Sequence, residues 1–147
     1  MENHSRNNDG TYGPAIDSKK VKYYYKPQAY HNKAAKGKQS KSKFVIKEGQ
    51  QFSLFSMAVL DLDSPQWTCE ENSCLFAIVN NGSTILGDAQ ERLAKFPNPV
   101  NDTDPWHGYP VKTKYSQNCP SDKLINLWIE HGVIDATTRR RIEKNKL

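Results

Sequence analysis

Cysteine is scarce, and nothing in the chain suggests that it is paired. Only Cys69, Cys74 and Cys119 occur among 147 residues. The start, Met1-Glu2-Asn3-His4-Ser5-Arg6, carries no apolar stretch of the kind a secretory signal needs. An odd number of cysteines without such a signal leads us to expect free thiols in a reducing, cytoplasmic setting. Long apolar runs are also missing. The longest, Phe52 to Leu60, is interrupted by serines and falls far short of the roughly 20 residues that span a bilayer. A membrane is therefore not an expected partner.

The familiar nucleotide and hydrolase fingerprints are absent too: no G-x-x-x-x-G-K-[ST], no G-x-G-x-x-G, no G-x-S-x-G and no H-E-x-x-H. Zinc has poor support. Cys69, Cys74, Cys119 and His107 make a Cys3His set by arithmetic, but the tight second ligand pair is lacking. Asp61 and Asp63 would share a side only in extended backbone, and turn chemistry surrounds them. No metal and no cofactor is expected.

What is present is charge, and it is divided. Residues 1–47 carry eleven basic and three acidic groups, residues 48–135 five and twelve, and residues 136–147 five and one. No acid lies between Lys19 and Lys47, although ten lysines do. This pattern is an acidic body with two basic ends. It fits either a polyanion-binding extension or ends that dock on the body.

The organisation follows from composition. Residues 1–43 read as a flexible basic arm, with Val21–Tyr25 as its one strand-like segment and an edge strand as its natural place. Residues 44–147 read as a single α+β domain. Phe44–Ile46 and Cys74–Val79 are its strands, and the latter is apolar on both faces and so central. The segment from Gln51 to Leu60 fits neither a period of two nor one of 3.6. Asp88 to Phe96, opening on Asp88 with Glu91 three residues on, reads as a short helix. Residues 97–120 form a long loop with prolines at 97, 99, 105 and 110. Two C-terminal helices follow, 122–131 capped by Ser121 and Gly132, and 135–145 capped by Asp135. The architecture expected is a small antiparallel sheet covered by about three helices. Its core would be Phe52, Phe55, Leu60, Leu75, Ile78, Leu93, Leu124, Leu127 and Trp128.

Three candidate sites stand out. In the arm, Lys19, Lys20, Lys22 and Lys26 would neutralise phosphates, while Tyr23, Tyr24, Tyr25 and Tyr30 would stack on exposed bases. The C-terminal helix pair has helix-turn-helix lengths. Its second helix opens on Thr137, Thr138, Arg139, Arg140 and Arg141, residue types that reach base edges and phosphates. The loop Asp104-Pro105-Trp106-His107-Gly108-Tyr109-Pro110 would place His107 in a pocket walled by Trp106 and Tyr109, with Asp61, Asp63, Glu91 and Arg92 available as an acid/base set. Each has a plainer reading: tyrosines packed on the body, an αα-hairpin closing the domain, and aromatics pinning the loop while His107 bonds a backbone carbonyl. The leading expectation is a nucleic-acid-associated binding protein for RNA or DNA. A protein-interaction module (an inhibitor, immunity or accessory subunit) and a small nuclease-like toxin centred on His107 are the alternatives.

Overall fold

The computed structural model describes residues 5–28, 42–60 and 65–147. It is α+β, with a two-stranded and a four-stranded antiparallel sheet. Tyr30, Asp61 and Asp63, and most of the lysine-rich stretch after Gln28, lie outside the described residues.

The first sheet is a hairpin of β1 (Tyr12–Ile16) and β2 (Lys22–Tyr25), in register Tyr12 to Tyr25 and Ile16 to Lys22. Its turn is set by Asp17, whose Oδ1 accepts the amides of Lys19 and Val21, both at 2.9 Å. An aspartate bonding its own downstream backbone is a turn-forming device. Lys20 takes a positive φ of 68° within it.

The hairpin is not part of a free arm. Tyr12, Ala15 and Tyr25 are buried in the core. The Tyr12 ring stacks on Phe52, and the Tyr12 and Tyr25 hydroxyls donate to Glu48 and Gln51. This corrects the expectation that residues 1–43 form one flexible extension. The apolar face of a two-stranded ribbon has to be covered, and here a helix covers it.

That helix is α1, Glu48–Val59. It settles the segment whose period was unreadable. Phe52, Leu54, Phe55, Ala58 and Val59 are all buried, because α1 lies between the hairpin and the main sheet. A helix covered on two sides has no single apolar stripe. Leu60, expected in the core, is the residue that ends it and is 38% exposed.

The main sheet has the order β3-β4-β5-β6: Thr68–Cys69, Cys74–Ile78, Leu93–Pro97 and Tyr109–Val111. β4 is fully buried and central, as its two-sided apolar pattern requires. β5 replaces the helix expected over 88–96. Gln90 has φ 67°, which no helix continues through, and Glu91 folds back to accept the Ala89 amide at 2.9 Å. The apparent capping box is a turn. Leu93, Ala94, Lys95 and Phe96 are then buried on both faces, between β4 and β6.

β6 lies inside the stretch read as a loop. It is an edge strand, where Pro110 costs no ladder bond. Phe44–Ile46 is not a strand of this sheet. Phe44 makes one isolated bridge, to Gly87.

One sheet face carries Leu75, Ala77 and Phe96, and the Phe96 ring meets Tyr25 and Phe55 from the hairpin and α1. The other carries Cys74, Phe76, Ile78 and Lys95. It is covered by α2 (Asp122–Glu130) and α3 (Ala136–Glu143). There Trp128 stands edge-on to Trp67, with centroids 5.6 Å apart. Both helices are capped as expected: Ser121 accepts the Leu124 amide and Asp135 the Thr138 amide. Of the expected core, Phe52, Phe55, Leu75, Ile78, Leu93, Leu124 and Trp128 are buried and Leu127 is half-buried. Among the described residues, no helix is long and apolar enough to cross a membrane.

Candidate functional site

A strand turns alternate side chains to opposite faces, and in β2 this divides the tyrosines. Tyr25 faces inward and is fully buried. Tyr23 is half-buried between Phe55 and Trp106, with ring centroids at 6.5 and 5.8 Å, and its hydroxyl donates to Asp17 Oδ2 at 2.8 Å. Neither ring is free to stack on a base. Of the tyrosines expected to stack, these two are structural, because α1 seals the inner face of the hairpin.

Tyr24 is turned outward and is 39% exposed. Lys22 and Lys26 flank it at spacing two and are both exposed, as are Lys19 and Lys20 at the hairpin tip. The ion pairs among the described residues involve only Lys123 with Glu70 and Arg139 with Glu143. Among the described residues no hairpin lysine makes an ion pair, although Lys26 and Lys19 are near enough to help lower the Asp9 and Asp17 carboxyls.

Arg6 joins this face. Its guanidinium and the Lys26 side chain both come against Gly10, at 3.4 and 3.7 Å from where a β-carbon would stand. Asn7, Asn8, Thr11 and Tyr24 line a shallow recess of about 510 Å³. Asp9 is the carboxylate of this region. Bonds from the Thr11 hydroxyl and amide hold its carboxyl below the usual range, so it stays ionised.

The arginine helix is elsewhere. Thr138 of α3 and Ile78, on the sheet face away from the hairpin, both come against Gly82, so among the described residues the α3 arginines do not join the hairpin lysines. The first turn of α3 is closed by Asn81. Asn81 Nδ2 donates to Asp135 Oδ2, its Oδ1 accepts the Asp135 amide, and its carbonyl accepts the Thr138 hydroxyl, at 2.9, 2.9 and 3.0 Å. Thr138 is buried, and Arg139 is half-buried and tied to Asn126 at 2.7 Å. Only Arg140 and Arg141 of the triplet are exposed. A recognition helix presents its N-terminal residues to a groove; here Asp135 and Thr138 are held against Asn81, and Arg139 against Asn126.

The aromatic loop is split in the same way. Trp106 does not line the groove beside His107. It bridges to Tyr25 through backbone bonds with Tyr24 and Lys26, at 2.7 and 2.8 Å, and its ring packs on Tyr23 and Phe55. Tyr109 and His107 do line a groove of about 380 Å³ with Pro97, Asn98, Pro99 and Asp104.

His107 Nδ1 lies 2.9 Å from the Lys26 carbonyl oxygen and 2.7 Å from Gln28 Nε2. The carbonyl requires Nδ1–H and the amide NH₂ requires a lone pair, so only one holds in a given tautomer. A side-chain amide can turn over and a backbone carbonyl cannot. We therefore assign Nδ1–H to Lys26. Glu91 and Arg92 stand at the other end of β5, with Arg92 on the Ser83 carbonyl at 2.7 Å. They do not complete an acid/base set around His107.

The cysteines sit near one another. Cys69 and Cys74 are cross-strand partners, both fully buried. Burial pushes the Cys74 thiol up to about 12, with the neighbouring Cys69 adding to it, and burial likewise raises Cys119. His107 is not among them, and among the described residues no group of three or more His, Cys, Asp and Glu is placed to hold a metal.

Lys95 was not singled out by sequence reasoning. It is buried, and its Nζ donates to the Gln117 carbonyl and to Asn118 Oδ1 at 2.5 and 3.3 Å. A lysine inside the apolar run Leu93-Ala94-Lys95-Phe96 was the available signal. Compared with known proteins, the chain matches no family model, no curated protein and no solved structure.

Proposed function

We propose that this chain binds single-stranded nucleic acid through the outer face of the β1–β2 hairpin. The observation that carries the reading is the alternation along β2: Lys22, Tyr24 and Lys26 point outward while Tyr23 and Tyr25 anchor the strand from within. An exposed ring between two cations on a rigid ribbon offers one base a stacking surface and two phosphates a counter-charge. A ring of this kind needs an unpaired base, which favours single strands over duplex. Arg6 beside Lys26 extends the cationic strip.

Buried Tyr12, Ala15 and Tyr25 tie the hairpin backbone to the body, so the strand carrying the strip need not be ordered on binding. That lowers the entropy cost of association. The arginine helix is left out of this surface, and Glu91 and Arg92 stand away from His107 at the other end of β5.

Affinity should follow counterion release. With Arg6, Lys22 and Lys26 each neutralising one phosphate, log K should fall against log salt with a slope of about −2 for a single strand. Between 50 and 200 mM salt this is roughly a 20-fold loss. Fluorescence anisotropy with labelled RNA and DNA single strands, and with a duplex control, measures it. No binding to any strand at low salt would end the reading.

A further inference from the structure

The groove lined by Pro97, Asn98, Pro99, Asp104, His107 and Tyr109 is not used by the hairpin face, yet it adjoins it. Its His107 wall is bonded to the Lys26 carbonyl at 2.9 Å. We infer that this groove holds one guanine base of a strand whose phosphates lie on the hairpin. The inference rests on the nucleic-acid reading above and adds a base preference to it.

The walls suit a flat, apolar-faced ligand. The Tyr109 and His107 rings and the prolines present planar or rigid surfaces, and Val100 beside them is 98% exposed. A volume of about 380 Å³ lies within the roughly 300–1,000 Å³ of small-ligand sites. Bases are held in such places by stacking on aromatic side chains and by hydrogen bonds to their edges.

The charge decides what enters. Asp104 lines the groove, and Asp102 and Asp104 are both exposed. A phosphate would be repelled here, so the phosphates belong on the lysine side and the base in the groove. One Asp104 oxygen, Oδ2, already accepts from Asn101 Nδ2 at 3.2 Å.

A carboxylate can only accept. On the Watson–Crick edge, adenine sets an acceptor beside its amine, cytosine does the same, and uracil or thymine flanks its single N–H with two carbonyls. Guanine alone places two donors side by side, N1–H and the N2 amine, which a carboxylate can take as a bidentate, charge-assisted pair.

The test compares labelled strands of about 12 nucleotides, a length within single-strand site sizes, by anisotropy. One is all thymidine, and the others carry a single central guanosine, inosine or adenosine. The guanosine strand should bind about tenfold more tightly than the thymidine strand. Inosine, which lacks the N2 amine, should lose most of that gain, and adenosine all of it. Asp104→Asn should erase the guanosine preference without weakening the thymidine strand. The inosine strand asks the same question without altering the protein, so a misfolded variant cannot hide the answer. Equal affinity for all four strands, or a guanosine preference that survives Asp104→Asn, overturns the inference and leaves the hairpin reading standing. Binding of the guanosine strand alone, with none to thymidine, overturns the hairpin reading instead. Binding to no strand overturns both.

Discussion

Replacing Phe55 by alanine should destabilise the protein by about 3–5 kcal/mol, the usual cost of emptying a buried phenylalanine site. Phe55 is fully buried. Its ring meets Tyr23, Tyr25, Phe52, Phe96 and Trp106, at centroid distances of 6.5, 5.5, 6.4, 5.4 and 5.6 Å. Those partners come from β2, α1, β5 and the loop before β6. Phe55 is thus where the hairpin, the helix and the sheet join. Urea unfolding gives the magnitude, and amide exchange on the hairpin shows where it falls. The β1–β2 amides should lose protection first, because the substitution removes the ring on which Tyr23 and Tyr25 pack. A loss under about 1 kcal/mol would mean that the hairpin is not held as described. Phe55→Leu, which keeps much of the volume, should cost clearly less.

The second large effect is expected at Gly108. A β-carbon there would lie 2.2 and 2.4 Å from Cδ1 and Cε1 of Phe96 and 3.1 Å from the Lys95 carbonyl oxygen. Phe96 cannot yield, since it is fully buried and wedged edge-on against Tyr25 and Phe55. The backbone at Gly108 must move instead, and His107 and Tyr109 move with it. Gly108→Ala should therefore destabilise by at least about 1–3 kcal/mol, the range for overpacked cores. It should also disturb the groove. Chemical denaturation measures the first effect, and the fluorescence of Trp106, two residues away, reports the second. Unchanged stability would show that the loop does not press on the sheet as closely as these distances require.

What presses on Gly108 was not legible locally, because Phe96 lies on another strand and reaches it only through β5–β6 pairing. The same division runs through the fold. Ser121, Asp135 and Gly132 marked the ends of the C-terminal helices correctly, since caps act within a few residues of themselves. Cys74–Val79 declared itself central because a strand covered on both faces must be apolar on both. Residues 88–96 misled for the converse reason. Asp88 and Glu91 imitate a capping box, and Leu93 and Phe96 are three apart. What makes 93–97 a strand is a pair of neighbours, β4 and β6, that no local window contains.

At the candidate site, Val21–Tyr25 was recognisable as a strand, and its lysines and tyrosines as a binding set. Which tyrosines could bind was not, because that depends on α1 lying under one face. An alternating strand permits only every second ring to be exposed, and this was the available signal. Its partner strand was hidden by the polar residues around Tyr12–Ile16, although Asp17 ahead of Ser18-Lys19-Lys20 carried the turn.

Everything functional here depends on Lys22, Tyr24 and Lys26 meeting a strand that Tyr23 and Tyr25 never touch. Anisotropy at one low salt concentration, comparing Lys22→Ala/Lys26→Ala and Tyr24→Ala with Arg140→Ala/Arg141→Ala, tests this directly. The first two variants should lose affinity, with Tyr24→Ala costing about 1–3 kcal/mol as a lost stacking ring does, while the arginine pair binds like the parent. Undiminished binding in the hairpin variants, with loss in the arginine pair, would contradict it and move the site to α3.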